Sequence, residues 1–279
     1  MNSQTNTDTI VLKPPSGWTS LNLGDLWRYR ELVYFMTWRD LKVRYKQTVL
    51  GASWAILRPF MTMVVFSIFF GNLAKVPSDG LPYPIFSYTA LLPWELFVTA
   101  LTVASRSLVV NSNMITKVYF PRIILPISSI LAGLVDFFIA LLVLIGMMIY
   151  YGVHPGQEIW TLPLFLIMAL ITAIGVGLWL SALNVQYRDI GYITPFLTQF
   201  WLFITPIAYP ASLVPGRWRL LFALNPMTGV VDGFRWALLG NQQSAPNSMW
   251  IVSSLIAVGI LSSGLFYFRR MERTFADIL

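Results

Sequence analysis

Long apolar segments with almost no charged residues constrain the fold of this chain most strongly. Six of them divide the 279 residues, and each can supply the roughly 20 apolar residues that a helix needs to cross a bilayer. Only Arg58, Glu95 and Asp136 interrupt them. The sequence therefore predicts an all-α integral membrane protein with six transmembrane helices. The segments are bounded by Lys46 and Lys75, Asp79 and Arg106, Arg122 and His154, Glu158 and Arg188, Asp189 and Arg217, and Arg235 and Arg269.

The composition agrees with a membrane protein. Hydrophobic residues make up 56% of the chain and charged residues 11%, whereas a soluble domain is about one quarter charged. The net charge of +7 does not indicate nucleic-acid binding, because membrane proteins collect Lys and Arg in their cytoplasmic loops. Most of the 19 Lys and Arg residues fall on the side that holds both chain ends. Both termini are therefore predicted to lie in the cytoplasm.

The segments outside the spans complete the predicted organisation. Residues 1–24 are polar and are expected to form a cytoplasmic tail, and residues 271–279 a cytoplasmic C-terminus. Residues 25–48 are predicted to be an amphipathic helix lying in the membrane surface. The transmembrane domain occupies 49–270, and its residues 211–240 are expected to form two short helices that re-enter the membrane from outside.

Two patterns support the surface helix and the re-entrant helices. Tyr34, Trp38, Leu41 and Tyr45 recur at the spacing of one helical stripe, and cations flank that stripe. Asn225-Pro226 is typical of a helix start, with an N-cap residue followed by proline at the first helical position. The helix that it starts has too few residues before Gly240 to cross a membrane.

Few residues could support catalysis. The chain has no Cys, so thiolate metal sites and Cys nucleophiles are excluded. The single His, His154, makes a His-rich metal site or a Ser-His-Asp triad improbable. We predict no catalytic and no metal-binding residue in this chain.

Four stretches, in order along the chain, resemble the permease subunit of type-2 ABC exporters, in particular those for O-antigen, capsule or teichoic-acid polymers. The resemblance runs from about Asp25 to Arg273, and at one position it departs, because the site of Arg58 is often an uncharged Gln in that family. The stretches are "RDLKVRYKQTVLGASWAILRPF" at 39–60, "VYFPRIILPISSILAGLVDF" at 118–137, "NVQYRDIGYITPFLTQFWLFITPIAYP" at 184–210 and "NPMTGVVDGFRWALLG" at 225–240.

The resemblance implies a homodimer in the bacterial inner membrane that exports a polymer linked to a polyprenyl diphosphate. It also implies two copies of a separate ATP-binding cassette subunit, which hold the ATP and Mg. The sequence agrees, because it contains no G-x-x-x-x-G-K-[ST] phosphate loop. Nucleic acid is not an expected partner, whereas membrane lipid is.

The cations before and within the first span are candidates for binding the lipid diphosphate at its entry. The cations at 39–46 could instead only anchor the surface helix, and Arg58 could snorkel towards the membrane surface or pair with an acidic side chain. Glu95 and Asp136 lie at similar depth, where structural hydrogen bonding is favoured over a proton relay. The predicted entry residues are Arg39, Lys42, Arg44, Lys46 and Arg58.

Aromatic side chains are candidates for lining the polymer channel, since their rings stack on the apolar faces of sugars. Phe196, Phe200, Phe203 and Ile207 share one predicted helix face, and Gln199 lies beside it. Trp54 lies one turn before Arg58 and points the same way. The alternative is that these side chains only pack in lipid or against another helix. The predicted channel residues are Trp54, Phe196, Gln199, Phe200 and Phe203.

By resemblance, the loop "NSNMITKVYFPR" at 111–122 is the helix that couples to the ATPase, and "NVQYRDI" at 184–190 is a second contact. The alternatives are an ordinary loop that only sets topology and a local Arg188–Asp189 ion pair. The predicted coupling residues are Asn111, Met114, Lys117, Tyr119, Arg122, Arg188 and Asp189.

The function predicted from these features is export of a lipid-linked polysaccharide. A related permease for a small drug or lipid is the first alternative. An integral-membrane lipid-modifying enzyme is the second, and the scattered acidic residues do not favour it.

Overall fold

The computed structural model describes residues 27–46, 51, 53–240 and 249–278. Every regular element in these ranges is helical, which confirms the all-α prediction. The predicted tail, residues 1–24, lies outside the described residues. The helices are α1 (Arg30–Lys46), α2 (Ser53–Phe66, continued by a π-helix at Ser67–Leu73), α3 (Tyr83–Val110), α4 (Ser112–Lys117), α5 (Ile124–Tyr151), α6 (Leu162–Gln186, preceded by a 3-10 turn at Gln157–Thr161), α7 (Ile190–Ile204, followed by a 3-10 turn at Ala211–Leu213), α8 (Gly216–Ala223), α9 (Pro226–Leu239), α10 (Met249–Met271) and α11 (Phe275–Ile278).

Five helices in the described residues are long and apolar enough to cross a membrane. They coincide with the first four predicted spans and the sixth. The fifth predicted segment contains α7, which has only 15 residues, and the chain leaves the helix from Thr205 to Pro210. Six spans therefore remain a prediction. The five candidate spans are Ser53–Leu73, Tyr83–Val110, Ile124–Tyr151, Gln157–Gln186 and Met249–Met271.

Local sequence explains where α9 begins and ends. The Asn225 side chain accepts a hydrogen bond from the Met227 backbone N–H at 3.1 Å, and Pro226 occupies the first helical position. Gly240, with φ of +68°, follows the helix in a conformation that favours glycine. The predicted pair of short helices in 211–240 is present as α8 and α9. Their re-entry into the membrane remains a prediction.

Helix α3 forms the centre of the bundle. It packs against α2, α5, α6, α7 and α9, and most of its side chains are buried. At a second contact, between α6 and α10, the backbones approach closely at two glycines. A Cβ atom on Gly264 would lie 2.4 Å from the Gly175 carbonyl oxygen, so only glycine fits this crossing.

A buried arginine on α9 holds the non-helical segment that follows α7. The guanidinium of Arg235, with 1% of the residue exposed, donates to the carbonyls of Pro206 at 2.6 Å and Ile207 at 2.7 Å. It also lies 3.6 Å from the centroid of the Phe86 ring on α3. Backbone carbonyls of the non-helical segment after α7 are thereby satisfied inside the protein.

Helix α1 packs lengthwise on α5 through polar contacts. The Ser129 hydroxyl donates to the Asp40 carboxylate at 3.0 Å, and Arg44 pairs with Asp136 further along both helices. Because the contacts advance in the same direction on the two helices, α1 runs alongside α5 over about one turn of α1 and two turns of α5. The end of α1 thus reaches Asp136 in the middle of α5.

The side chains of the predicted aromatic stripe of α1 differ in their burial. Leu41 is buried against the bundle, whereas Tyr34 and Trp38 are 64% and 49% exposed. The side that contacts α5 is marked by Asp40 and Arg44, because these side chains find partners there. Spacing alone could not show that polar pairs would take this face.

Candidate functional site

Helices α1, α2, α3 and α5 surround a cavity of about 270 Å³, called here the charged cavity. Each helix contributes at least one polar side chain to its wall. Trp54, predicted to line the channel, lines this cavity, one turn before Arg58. The lining residues are Arg44, Tyr45, Gly51, Trp54, Ala55, Arg58, Pro59, Glu95, Thr99 and Asp136.

Two arginine–carboxylate pairs lie in the charged cavity. Nε of Arg58 is 3.1 Å from Oε2 of Glu95, so the alternative in which Arg58 pairs with an acid is the one observed. Arg44 pairs with Asp136, which also accepts a hydrogen bond from the Tyr45 hydroxyl. With two cations and two carboxylates, the cavity is close to neutral.

The Tyr45 hydroxyl acts as a donor in this arrangement. Burial and the neighbouring Asp136 carboxylate raise the pKa of Tyr45, because both disfavour the phenolate. The hydroxyl therefore keeps its proton and holds the carboxylate in place. In the described part of the chain, no group of three or more His, Cys, Asp or Glu residues is placed to hold a metal ion.

The other predicted entry cations lie elsewhere on α1. Arg39, Lys42 and Lys46 border a separate groove together with aromatic side chains that include Trp38. Arg39 pairs with the adjacent Asp40 at 2.8 Å, and the Lys42 ammonium lies 5.5 Å from the Trp38 ring centroid. The structure thus divides the five predicted cations, and places only Arg44 and Arg58 in the charged cavity.

The aromatic side chains of α7 form an exposed ridge. Phe196, Phe200 and Phe203 are 69%, 61% and 58% exposed, and Gln199 is exposed beside them. The rings of Phe196 and Phe200 are 5.7 Å apart. Ile207 does not continue the ridge as predicted, because α7 ends before it and Ile207 is buried in the core.

The first predicted coupling segment follows α3 directly. The Asn111 side chain donates to the Ser107 carbonyl at 2.7 Å, where α3 passes into α4. Lys117 and Tyr119 are exposed, and Met114 is half-buried. The segment therefore presents a surface of a few apolar and cationic side chains at this end of the bundle, called here the α4 end.

The second predicted coupling segment, the turn from α6 to α7, is fixed to the same end of α3. Asn184 donates to the Ser105 carbonyl at 2.7 Å, and the Arg106 guanidinium donates to the Gly191 carbonyl at 2.8 Å. Arg188 and Asp189 are both exposed in this turn. The ion pairs of the described residues do not include one between them.

Sequence reasoning missed a clamp between the C-terminal segment and the α4 end. The Glu272 carboxylate accepts from the Arg122 backbone N–H at 2.8 Å and from the Arg269 guanidinium at 3.1 Å. The buried rings of Phe268 and Phe275 pack beside this contact, 5.3 Å apart. Two phenylalanines flanking a charged run could have indicated it, whereas residues 271–279 were predicted only as a cytoplasmic C-terminus.

Comparison with known proteins shows that most of the helices described above belong to one known family of membrane proteins. The family model described as ABC-2 type transporter matches residues 31–239, which run from α1 to the end of α9. The chain belongs to this family. As an ABC-2 family member with several apolar helices, it is a multi-pass membrane protein.

Curated relatives of this ABC-2 protein match along nearly their whole length. The O-antigen export system permease protein RfbA of Klebsiella pneumoniae is 28% identical over 261 residues, covering 92% of this chain and 97% of the relative. RfbA of Myxococcus xanthus is 28% identical over 253 residues, covering 89% and 96%. The polysialic acid transport protein KpsM of Escherichia coli is 25% identical over 240 residues, covering 84% and 91%.

Proposed function

We propose that this ABC-2 protein is the permease subunit of an ATP-driven exporter that moves a lipid-linked surface polysaccharide out of the cytoplasm. The observation that carries the proposal is the near full-length similarity to permeases named for O-antigen export and polysialic acid transport. Because the match covers all the helices from α1 to α9, it includes the charged cavity, the α7 ridge and the α4 end.

The route of the substrate follows from two surfaces. The charged cavity offers arginine side chains to a polyprenyl diphosphate at the start of the path. The α7 ridge offers exposed rings that can stack on successive sugars without holding any one of them tightly. A polymer of many sugars needs such weak, repeated contacts in order to keep moving.

Energy comes from two copies of a separate ATP-binding cassette subunit, which hold the ATP and Mg. The α4 end suits this partner because Tyr119 and Tyr187 are 78% and 56% exposed there, next to exposed charged side chains. Hot spots of protein interfaces are enriched in such tyrosines and in arginine. Two permease chains with their exposed α7 ridges facing a shared path form the channel.

Six spans in the bacterial inner membrane remain the topology that we propose, with both termini in the cytoplasm. Helix α7 rises about 22 Å, less than the roughly 30 Å hydrocarbon core, so in this topology the turns and bends at 205–210 lie within the remaining depth. Non-helical backbone is tolerated at such depth when it is buried in protein. Thr205 and Ile207 are buried, and Arg235 satisfies the neighbouring carbonyls.

The test has two parts. One uses a deletion strain that lacks this chain, and the other uses the purified complex. We expect the strain to lose surface polysaccharide and to accumulate the lipid-linked polymer inside, and the chain to restore export. The purified chain alone should show no ATPase activity, which should appear with the cassette subunit. Normal surface polymer in the deletion strain would contradict the polysaccharide assignment. ATP hydrolysis by the chain alone would contradict the assignment of ATP hydrolysis to a separate subunit.

A further inference from the structure

The two arginines of the charged cavity are held in different ways. Arg44 and the Tyr45 hydroxyl both bind the Asp136 carboxylate, and the side chains of Arg44 and Asp136 are 24% and 23% exposed. This three-residue contact joins α1 to α5. Arg44 is therefore part of the framework of the cavity.

Arg58 is held by fewer contacts than Arg44. Its side chain is 57% exposed, and its ion pair with Glu95 brings only Nε within 3.1 Å of the carboxylate. Among the hydrogen bonds of the described residues, none is donated by the Arg58 guanidinium. Its planar fork of N–H donors thus faces the cavity with capacity for another acceptor.

Glu95 limits which acceptor can take that position. Its carboxylate is 18% exposed and lies on α3, the most buried helix, so it cannot withdraw into water. An anionic ligand must displace it from Arg58 and tolerate its charge nearby. A lipid with a single negative phosphate charge competes poorly with Glu95 for Arg58. A diphosphate competes better, because it offers several oxygens to the guanidinium fork.

We propose that Arg58 is the phosphate-binding residue of the charged cavity and that Glu95 occupies its guanidinium until a diphosphate-bearing lipid enters. This inference rests on the proposed function, since the diphosphate is that of the lipid-linked polymer. Glu95 is then a specificity-determining residue, because it excludes lipids with a single phosphate charge.

Native mass spectrometry of the complete complex in zwitterionic nanodiscs tests the exchange. The probe is a polyprenyl diphosphate without sugars, and phosphatidylglycerol and inorganic pyrophosphate are the competitors. We expect Arg58→Gln to weaken probe binding about tenfold, which corresponds to about 1.4 kcal/mol. Glu95→Gln should tighten binding severalfold and also admit phosphatidylglycerol. Arg28→Gln, at an exposed position just before α1, removes the same charge and should change nothing.

The double variant Arg58→Gln with Glu95→Gln separates exchange from a structural ion pair. Under exchange it still binds the probe more weakly than the parent complex, because removing the Glu95 charge cannot replace the guanidinium, although both single variants and the double variant assemble normally. If Glu95→Gln weakens binding and the double variant recovers it, the pair is structural and the proposal is wrong. Equal competition by phosphatidylglycerol in the parent complex would also overturn it. Pyrophosphate competing as well as the probe would show that the lipid is not recognised, and would overturn the assignment to a lipid-borne diphosphate.

Failure of this inference differs from failure of the proposed function. If the parent complex binds the probe and exports polymer while Arg58→Gln leaves the binding unchanged, only the role of Arg58 is lost. If the parent complex does not bind the probe at all, the lipid-linked substrate itself is refuted.

Discussion

Replacing Arg235 by methionine should destabilise the end of the bundle where α9 packs against the segment after α7. Methionine fills most of the volume of the arginine stem but offers no donor. The carbonyls of Pro206 and Ile207 then lose their charge-assisted hydrogen bonds, which are 2.6 and 2.7 Å long. Because Ile207 and its surroundings are buried, water cannot replace the guanidinium without opening the segment.

The expected magnitude follows from these contacts. Each buried acceptor left without a partner costs about 1–3 kcal/mol, and a desolvated cation over an aromatic ring contributes about 2 kcal/mol. Relief from burying the charge offsets several kcal/mol of the loss. We therefore expect a net destabilisation of about 2–4 kcal/mol. At about 2–4 °C per kcal/mol for chains of this size, the apparent Tm should fall by about 4–16 °C.

Arg235→Lys distinguishes donor geometry from charge. A lysine ammonium keeps the cost of a buried charge but cannot present the planar fork that reaches two carbonyls at once. Lysine should therefore destabilise the protein at least as much as methionine does.

The assay is the melting temperature of the purified complex, read by size-exclusion chromatography after heating. Arg217→Met, on exposed α8, is the matched control and should leave the Tm unchanged. An Arg235→Met complex as stable as the parent would refute the reasoning. A Lys variant that restores the parent Tm would show that charge, rather than the fork of donors, matters at this position.

Three further predictions concern the α4 end, the α7 ridge and the topology. Glu272→Ala should release the clamp on the coupling segment, so that ATPase activity persists while surface polymer falls severalfold; unchanged export at equal membrane abundance would contradict it. Phe200→Ala with Phe203→Ala should slow export severalfold, because each ring contributes on the order of 1 kcal/mol of stacking. Since both rings are more than half exposed, protein abundance should hold, and its loss would indicate packing instead. In this Cys-free chain, a single Cys at Ser112 should be labelled only from the cytoplasm and one at Ser212 only from outside; the reverse would overturn the proposed topology.

Much of the fold could be predicted from the sequence, because length and hydropathy act locally. Apolar runs long enough for a bilayer specify helices whatever their neighbours, and five of the six predicted spans are present as such helices. The start of α9 at Asn225-Pro226 was predictable for the same reason, since an N-cap contact joins residues two apart. The end of α7 was missed because the prediction rested on hydropathy, although Pro206 lacks the backbone N–H that would continue the helix.

Pairings between distant residues were decided only by the tertiary structure. The charges of Arg58 and Glu95 are visible in the sequence, yet their contact depends on how α2 packs against α3. From the sequence, Arg235 is predicted to be a cation of an outer loop. In the structure, α9 places it against a backbone carbonyl almost thirty residues earlier in the chain. Glu272 likewise acquires a partner only when the chain folds back onto Arg122. The local sequence pattern determines which segments become helices. Inside the bundle, the low polarity makes an unpaired charge costly, so buried charges pair with distant residues that sequence spacing does not predict.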